Sequence, residues 1–158
     1  MSDPRPIARD CAVALMVTPD GRYLMQLRDA DPAIPFPDHW ACFGGSIEPG
    51  EDVEAALRRE LIEELDYRAG AVTFFTEMVV DLPFAPPRTD RMHFFAVPIA
   101  ADAVDHMVQR EGAGRRLFTP EAIAAEPRVA PWDLCAVLMH ARRGALFAPA
   151  LPAGAKAR

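Results

Sequence analysis

Three carboxylates stand close together in the heptapeptide RELIEEL, residues 59 to 65: Glu60, Glu63 and Glu64 are spaced i, i+3, i+4. On a helix that spacing puts all three on one face. Like charges so placed cost roughly 0.2–0.5 kcal/mol per pair unless a cation sits among them. Arg59 compensates in part. A hard divalent cation such as Mg2+ compensates more fully, because it takes carboxylate oxygens and keeps waters and substrate phosphates as its other ligands. Taken alone, the heptapeptide is also an ordinary solvated helix face.

The surrounding residues position the cluster. A helical pattern runs from about Asp52 to Leu65, with Asp52 as cap and Glu51 and Glu54 at the positive end of the dipole. Ala55 to Leu61 are strong helix formers, and Leu57, Leu61 and Leu65 recur at i, i+4, i+8 as a buried stripe. Upstream lies Trp40 to Ile47, a short apolar strand carrying Gly44 and Gly45, then an acidic loop, Glu48-Pro49-Gly50-Glu51.

Gly45, Glu51, Arg59-Glu60-Leu61 and Glu63-Glu64 keep the spacing of a known signature. The stretch resembles that of the Nudix hydrolases (MutT-like proteins), in which a glycine, a glutamate and an REUxEE core (U a bulky aliphatic) stand at fixed intervals. The resemblance departs at Asp66, where the family usually has glycine, at Tyr67 in an aliphatic position, and at Phe43, where many members have proline. None of these touches a carboxylate, so they bear on loop shape and substrate choice rather than on metal binding.

The resemblance implies hydrolysis of a nucleoside diphosphate linked to a further group, with Mg2+ or Mn2+ as cofactor. Glu60 and Glu64, one turn apart, are the expected direct metal ligands, and Glu63 a water-mediated ligand or base. The family's backbone carbonyl at the glycine pair maps to Gly44, where the missing side chain permits close approach. Arg59 is expected to orient the glutamates, while Glu48 and Glu51 shape the loop, Glu51 also being a candidate aid to metal binding. Many members recruit a further glutamate from a later loop or strand; Glu111, beside Gly112 and Gly114, is the candidate, set against a solvated loop charge. Gln26 and Arg28 share one face of their strand, and Arg28 is a candidate phosphate contact. Phe43, Trp40 and Phe84 are available for base stacking, although core packing suits each equally well. His93, alone in an apolar strand, is expected to pack in the core, with a place facing the cleft as the alternative.

Composition narrows the classes. The 158 residues are 51% hydrophobic and 25% charged, which suits one globular domain over 1–158. The net charge of −6 argues against charge-driven binding to nucleic acid or anionic membrane, and an acidic protein that handles phosphates needs metal as mediator. Cys11, Cys42 and Cys135 are odd in number and lack CxxC spacing, so a reducing, cytoplasmic setting is expected and Cys42 reads as core rather than nucleophile. No signal peptide or membrane-length segment is legible. A homodimer is the default oligomer.

In chain order, CAVALMV (11–17) reads as a buried strand, Pro19-Asp20-Gly21 as a turn and 22–28 as its hairpin partner. Residues 29–39, with three prolines, form a loop. Two Val/Phe-rich strands are expected over 71–81 and 91–99, joined by a proline-rich loop. A turn or short helix follows in 100–107, then a glycine-bent strand over 111–118 and a short helix from Thr119. A final helix starts at Pro131 and runs to about Arg143, burying Leu134, Val137, Leu138 and Ala141, and 148–158 read as a disordered tail. Strands pairing mostly as hairpins, with helices on opposite sides, give an α/β fold with a mixed, mostly antiparallel sheet. The resemblance implies the same α/β/α sandwich, over about 11–143. Two other functions fit the fold: a non-catalytic domain that senses a nucleotide, and an isoprenoid diphosphate isomerase. The complete carboxylate set argues against the first and the lack of a cysteine-centred motif against the second.

Overall fold

A computed structural model of the chain describes residues 6–83 and 86–146. Its centre is β1 (Ile7–Val17), whose CAVALMV run is buried on both faces. Cys11, Val13 and Leu15 point into one core, and Ala12, Ala14 and Met16 into the other. A strand covered on both sides has no solvent face, which is why its sequence is continuously apolar.

Strands β2 (Tyr23–Leu27), β3 (Trp40–Ala41), β4 (Phe43–Ser46), β5 (Thr73–Leu82), β6 (Arg88–Pro98) and β7 (Gly114–Phe118) complete one seven-stranded sheet. Its main path runs β3-β2-β1-β6-β5, with β4 paired to β1 and β7 to β2. Among the described strand pairs only β1 and β6 are parallel, with Val13 opposite Phe94, and Trp40 adds an isolated parallel bridge to Val129. The hairpin expected from Pro19-Asp20-Gly21 closes at Val17 opposite Tyr23, and Gly21 takes the positive φ of 81°.

Helix α1 (Val53–Leu65) lies over Ala12 and Ala14, with Leu57, Leu61 and Leu65 fully buried beneath it. Each such leucine contributes about 1.5–3 kcal/mol relative to an exposed one. The Asp52 carboxylate accepts from the N–H groups of Glu54 and Ala55, as a cap should. At the other end Asp66 adopts the left-handed conformation (φ 53°), and the N–H groups of Asp66 and Tyr67 donate to Ile62 and Leu61. That is the Schellman closure usually made with glycine. Asp66 therefore departs from the signature in residue type and keeps its geometry.

On the opposite face lies α4 (Pro131–Ala141), preceded by the short α2 (Ala103–His106) and α3 (Pro120–Ala125, capped by Thr119) and followed by α5 (Arg143–Leu146). Its buried face corrects the sequence expectation. Asp133, Ala136, Val137 and His140 are buried, whereas Leu134, Leu138 and Ala141 are only half-buried. The stripe is rotated because its polar members have partners: Asp133 accepts from the Cys42 N–H (3.1 Å), and the Tyr23 hydroxyl meets His140 Nδ1 (2.7 Å). Strand β7 also begins later than expected, at Gly114, because Gly112 (φ 81°) turns the chain and Ala113 donates to the Leu27 carbonyl. The tail at 148–158 lies outside the described residues, and no described helix is long and apolar enough to cross a membrane.

Candidate active site

A cavity of about 370 Å³ opens where β1, β2, β4 and β6 meet the start of α4. Glu60, Glu64, Gly44 and Gly45 line one part of it, Glu111 its rim, and Arg28, Asp90 and Asp133 other parts of the wall.

Glu64 is the most deeply placed carboxylate of α1, only 4% exposed. It accepts from the Gly44 N–H at 2.9 Å and from the Gln26 amide at 3.4 Å. Burial outweighs these bonds and, with the neighbouring charges of Glu60 and Glu111, raises its pKa to about 8. Burial also raises Glu60, against the pull of Arg59. The glycines make room for this. A Cβ on Gly45 would lie 2.5 Å from the Glu60 carboxyl carbon, and one on Gly44 (φ 133°) would lie 2.1 Å from the Ala12 carbonyl oxygen.

Arg59 stands at the side of the cluster and is not on the cavity wall. It holds Glu51 through two bonds of 2.9 Å, reaches Glu60 at 2.8 Å and Glu63 at 3.1 Å, and donates to the Ser46 carbonyl. Glu51 is thereby held at a pKa of about 2, chiefly by the Arg59 hydrogen bonds. Arg59 thus ties Glu51, Glu60 and Glu63 to the loop backbone at Ser46. Glu63 is exposed and lies off the cavity wall.

The donors fit a hard divalent cation: every candidate ligand is oxygen, and two carboxylates crowd a buried site that keeps Glu64 short of positive charge. Among the described residues no three His, Cys, Asp or Glu side chains form a ready-made metal group. Two carboxylates, a backbone carbonyl and the oxygens of a phosphate substrate are the pattern of Mg2+ rather than of a structural zinc.

The structure sorts the remaining expectations. Gln26 and Arg28 both line the cavity. Phe43 does not: it is fully buried on the other side of the sheet among Leu57, Leu61 and Phe95, so the expectation that it contacts substrate is corrected. Alternation along β4 turns its ring under α1 while Gly44 faces the cavity. Trp40 stacks edge-on against Phe118 beneath Arg116 and is off the wall, and Phe84 lies outside the described residues. His93 is not in the core; it stands between Asp10 (3.1 Å) and Glu77 (3.3 Å), away from the cavity. Cys42 is buried and its thiol pushed well up by desolvation, which removes it as a nucleophile.

Two cavity carboxylates escaped the sequence reading. Asp133, 3% exposed, has one oxygen on the Cys42 N–H and the other, Oδ1, without a partner among the described residues. Burial raises its pKa to about 7. Asp90, 1% exposed, pairs through Oδ2 with Arg88 at 3.1 Å and leaves Oδ1 unpartnered among the described residues. In sequence Asp133 reads as a first-turn acid complementing the dipole of α4. The legible signal was its register, four residues before Val137 and seven before His140.

A family model described as NUDIX domain matches residues 8–137. The nucleoside triphosphatase NudI of Escherichia coli is 49% identical over 53 residues, which cover 34% of this chain and 37% of that protein. The match thus spans little more than a third of the curated relatives' length. The solution structure of the E. coli ORF135 protein superposes with a TM-score of 0.67 at 25% identity, covering 89% of this chain and 96% of that one. The E. coli dihydroneopterin triphosphate pyrophosphohydrolase shares the fold, with a TM-score of 0.69 at 18% identity over 87% and 99% of the two chains.

Proposed function

The chain belongs to the NUDIX family, and we propose on that premise that it is a metal-dependent pyrophosphohydrolase cleaving the diphosphate linkage of a nucleoside diphosphate derivative. One observation carries the reading: Glu64 and Glu60 share the wall of a cavity in which burial disfavours their charge. Such a site favours a cation and, through it, an anionic substrate. The names of NudI and of the dihydroneopterin triphosphate enzyme support a triphosphate-bearing substrate.

Mg2+ or Mn2+, held by Glu60, Glu64 and the Gly44 carbonyl, would supply polarisation of phosphorus and a more acidic water. The protein's own residues do the rest. Gly44 and Gln26 fix the Glu64 carboxylate by hydrogen bonds, and Gly45 leaves space for that of Glu60. Arg59 anchors Glu51, Glu60 and Glu63 as one unit against the Ser46 backbone. In this reading Glu111 accepts the proton of the attacking water and Arg28 meets a phosphate or the group beyond it; that both line the cavity supports these roles. Glu63, off the wall, acts through Arg59 or through water.

The same reading takes 1–158 as one domain in a cytoplasmic setting, supported by three free cysteines, and a homodimer as its default assembly. Release of phosphate or pyrophosphate from a panel of nucleoside triphosphates, nucleotide sugars, dinucleoside polyphosphates and ADP-ribose, with Mg2+ or Mn2+, tests it. Turnover of at least one class is expected. Ligand binding without turnover of any would favour a sensing domain.

A further inference from the structure

Helix α1 ends in carbonyls that have no partner within the helix. Those of Glu64 and Leu65 are met by a later segment of the chain. The Arg110 N–H donates to the Glu64 carbonyl at 2.8 Å, and the Val108 N–H to that of Leu65 at 2.9 Å. Glu111 thus directly follows a residue bonded to the peptide of the most deeply placed carboxylate of α1. Beyond it Gly112 (φ 81°) reverses the chain, and the Ala113 N–H donates at 2.8 Å to the Leu27 carbonyl, on the strand that carries Gln26. A Cβ on Gly112 would stand 2.8 Å from that carbonyl, 3.0 Å from Gln26 Oε1 and 3.2 Å from Gln109 Nε2. The turn is closely packed.

One side chain gathers the turn's own carbonyls. Gln109 Nε2 donates to the Glu111 carbonyl at 2.7 Å and to the Gly114 carbonyl at 3.0 Å. An amide nitrogen carries two hydrogens, and both are engaged here. The Arg110–Asp66 ion pair beside it, at 3.3 Å, has both side chains more than half exposed and holds the turn only weakly. The charge of Glu111 is felt by both Glu60 and Glu64, so any shift of this turn moves a carboxylate relative to both. Gln109 itself is half-buried and off the cavity wall, in contact with none of the metal-site carboxylates. We infer that Gln109 is a positioning residue for Glu111: its amide closes the 111–114 turn and thereby sets the Glu111 carboxylate at the rim, in register with Glu60 and Glu64. This rests on the proposed function, in which Glu111 accepts the proton of the attacking water.

The test measures kcat and KM with Mg2+ on nucleoside triphosphates for Gln109→Ala and Gln109→Glu, each alone and combined with Glu111→Gln. Gln109→Ala should lower kcat by about tenfold, no more than Glu111→Gln does, because a displaced base forfeits part of its assistance. KM should change by less than about twofold, since the lost contact serves the transition state. Gln109→Glu keeps the shape but sets an acceptor against two carbonyls, so its loss should be at least as large. In Glu111→Gln protein neither substitution should lower kcat further, because residues that act as a unit are not additive. A side chain that merely supports the fold would lower it again. Position is read separately by NMR on metal-free protein, where Gln109→Ala should shift the carboxyl signal of Glu111 more than those of Glu60 and Glu64. If Glu111→Gln keeps the wild-type kcat, or no nucleoside triphosphate is hydrolysed, and that shift is still seen, the proposed function fails and the positioning stands. An unmoved Glu111 signal, full kcat in the Gln109 variants where Glu111→Gln is impaired, or a further loss in the combined variants overturns the inference.

Discussion

Gly45 faces Glu60 so closely that a methyl group on its Cα would lie 2.5 Å from the carboxyl carbon. The atoms in the way are the end of a side chain, so Gly45→Ala should fold and instead push Glu60 aside. Displacement of a metal-holding oxygen by about 1 Å can cost roughly 10²-fold in rate. We expect a kcat loss of that order with a melting temperature within a few degrees of wild type. Gly44→Ala should behave differently, because its Cβ would meet backbone at 2.1 Å and its φ is 133°. Strain and overpacking each cost about 1–3 kcal/mol, so a lowered melting temperature should accompany the lost activity. Equal stability of the two variants would contradict this account.

Arg59 binds three carboxylates and one carbonyl at once. Lysine keeps the charge and loses the fork. Arg59→Lys should therefore lower kcat by about 10–100-fold, the range seen when groups supporting metal ligands are lost, with a smaller change in KM. A variant with wild-type kcat and raised KM would place Arg59 on the substrate instead.

The pH dependence of stability in metal-free protein follows from three buried groups. Glu64 and Asp133 have folded pKa values of about 8 and about 7, above their ordinary 4.5 and 3.8. Between those limits the folded state binds more protons, so stability falls as pH rises through each window. His140, lowered to about 4 from 6.5 by burial, acts oppositely: its contribution is lost as pH falls below 6.5. Above pH 6.5 the carboxylates act, Asp133 up to about pH 7 and Glu64 up to about pH 8, each with a slope of up to about 1.4 kcal/mol per pH unit. Thermal melts in EDTA should fall across that interval. Glu64→Gln should be at least as stable as wild type at pH 8 and show a shallower decline; an unchanged slope would sink the assignment.

Much of this was legible in the sequence, and the failures have causes. The two-sided burial of β1, the Asp52 cap, the leucine stripe and the layered α/β fold follow from periodicity and capping residues, which local sequence records directly. Phe43 was misjudged and Asp133 missed for one reason. Which face of β4 or α4 meets the cavity depends on partners 20 to 91 residues away, namely Glu64 for Gly44 and Cys42 for Asp133. No local pattern encodes those pairings. A buried acid with a single backbone partner also looks, in sequence, like any helix-capping carboxylate.

The central claim is that Glu60 and Glu64 hold the catalytic metal, and helix α1 supplies its own control. Glu54 lies on the same helix, half-buried and paired with Arg58 at 2.8 Å, away from the cavity. The decisive measurement is kcat/KM with Mg2+ for Glu60→Gln, Glu64→Gln, Glu111→Gln and Glu54→Gln, on any accepted substrate, beside wild type in excess EDTA. The account predicts losses of about 10²–10³ for Glu60 and Glu64, less for Glu111, none for Glu54, and no turnover in EDTA. Full turnover in EDTA, or a Glu54 variant as damaged as the Glu64 variant, would contradict it.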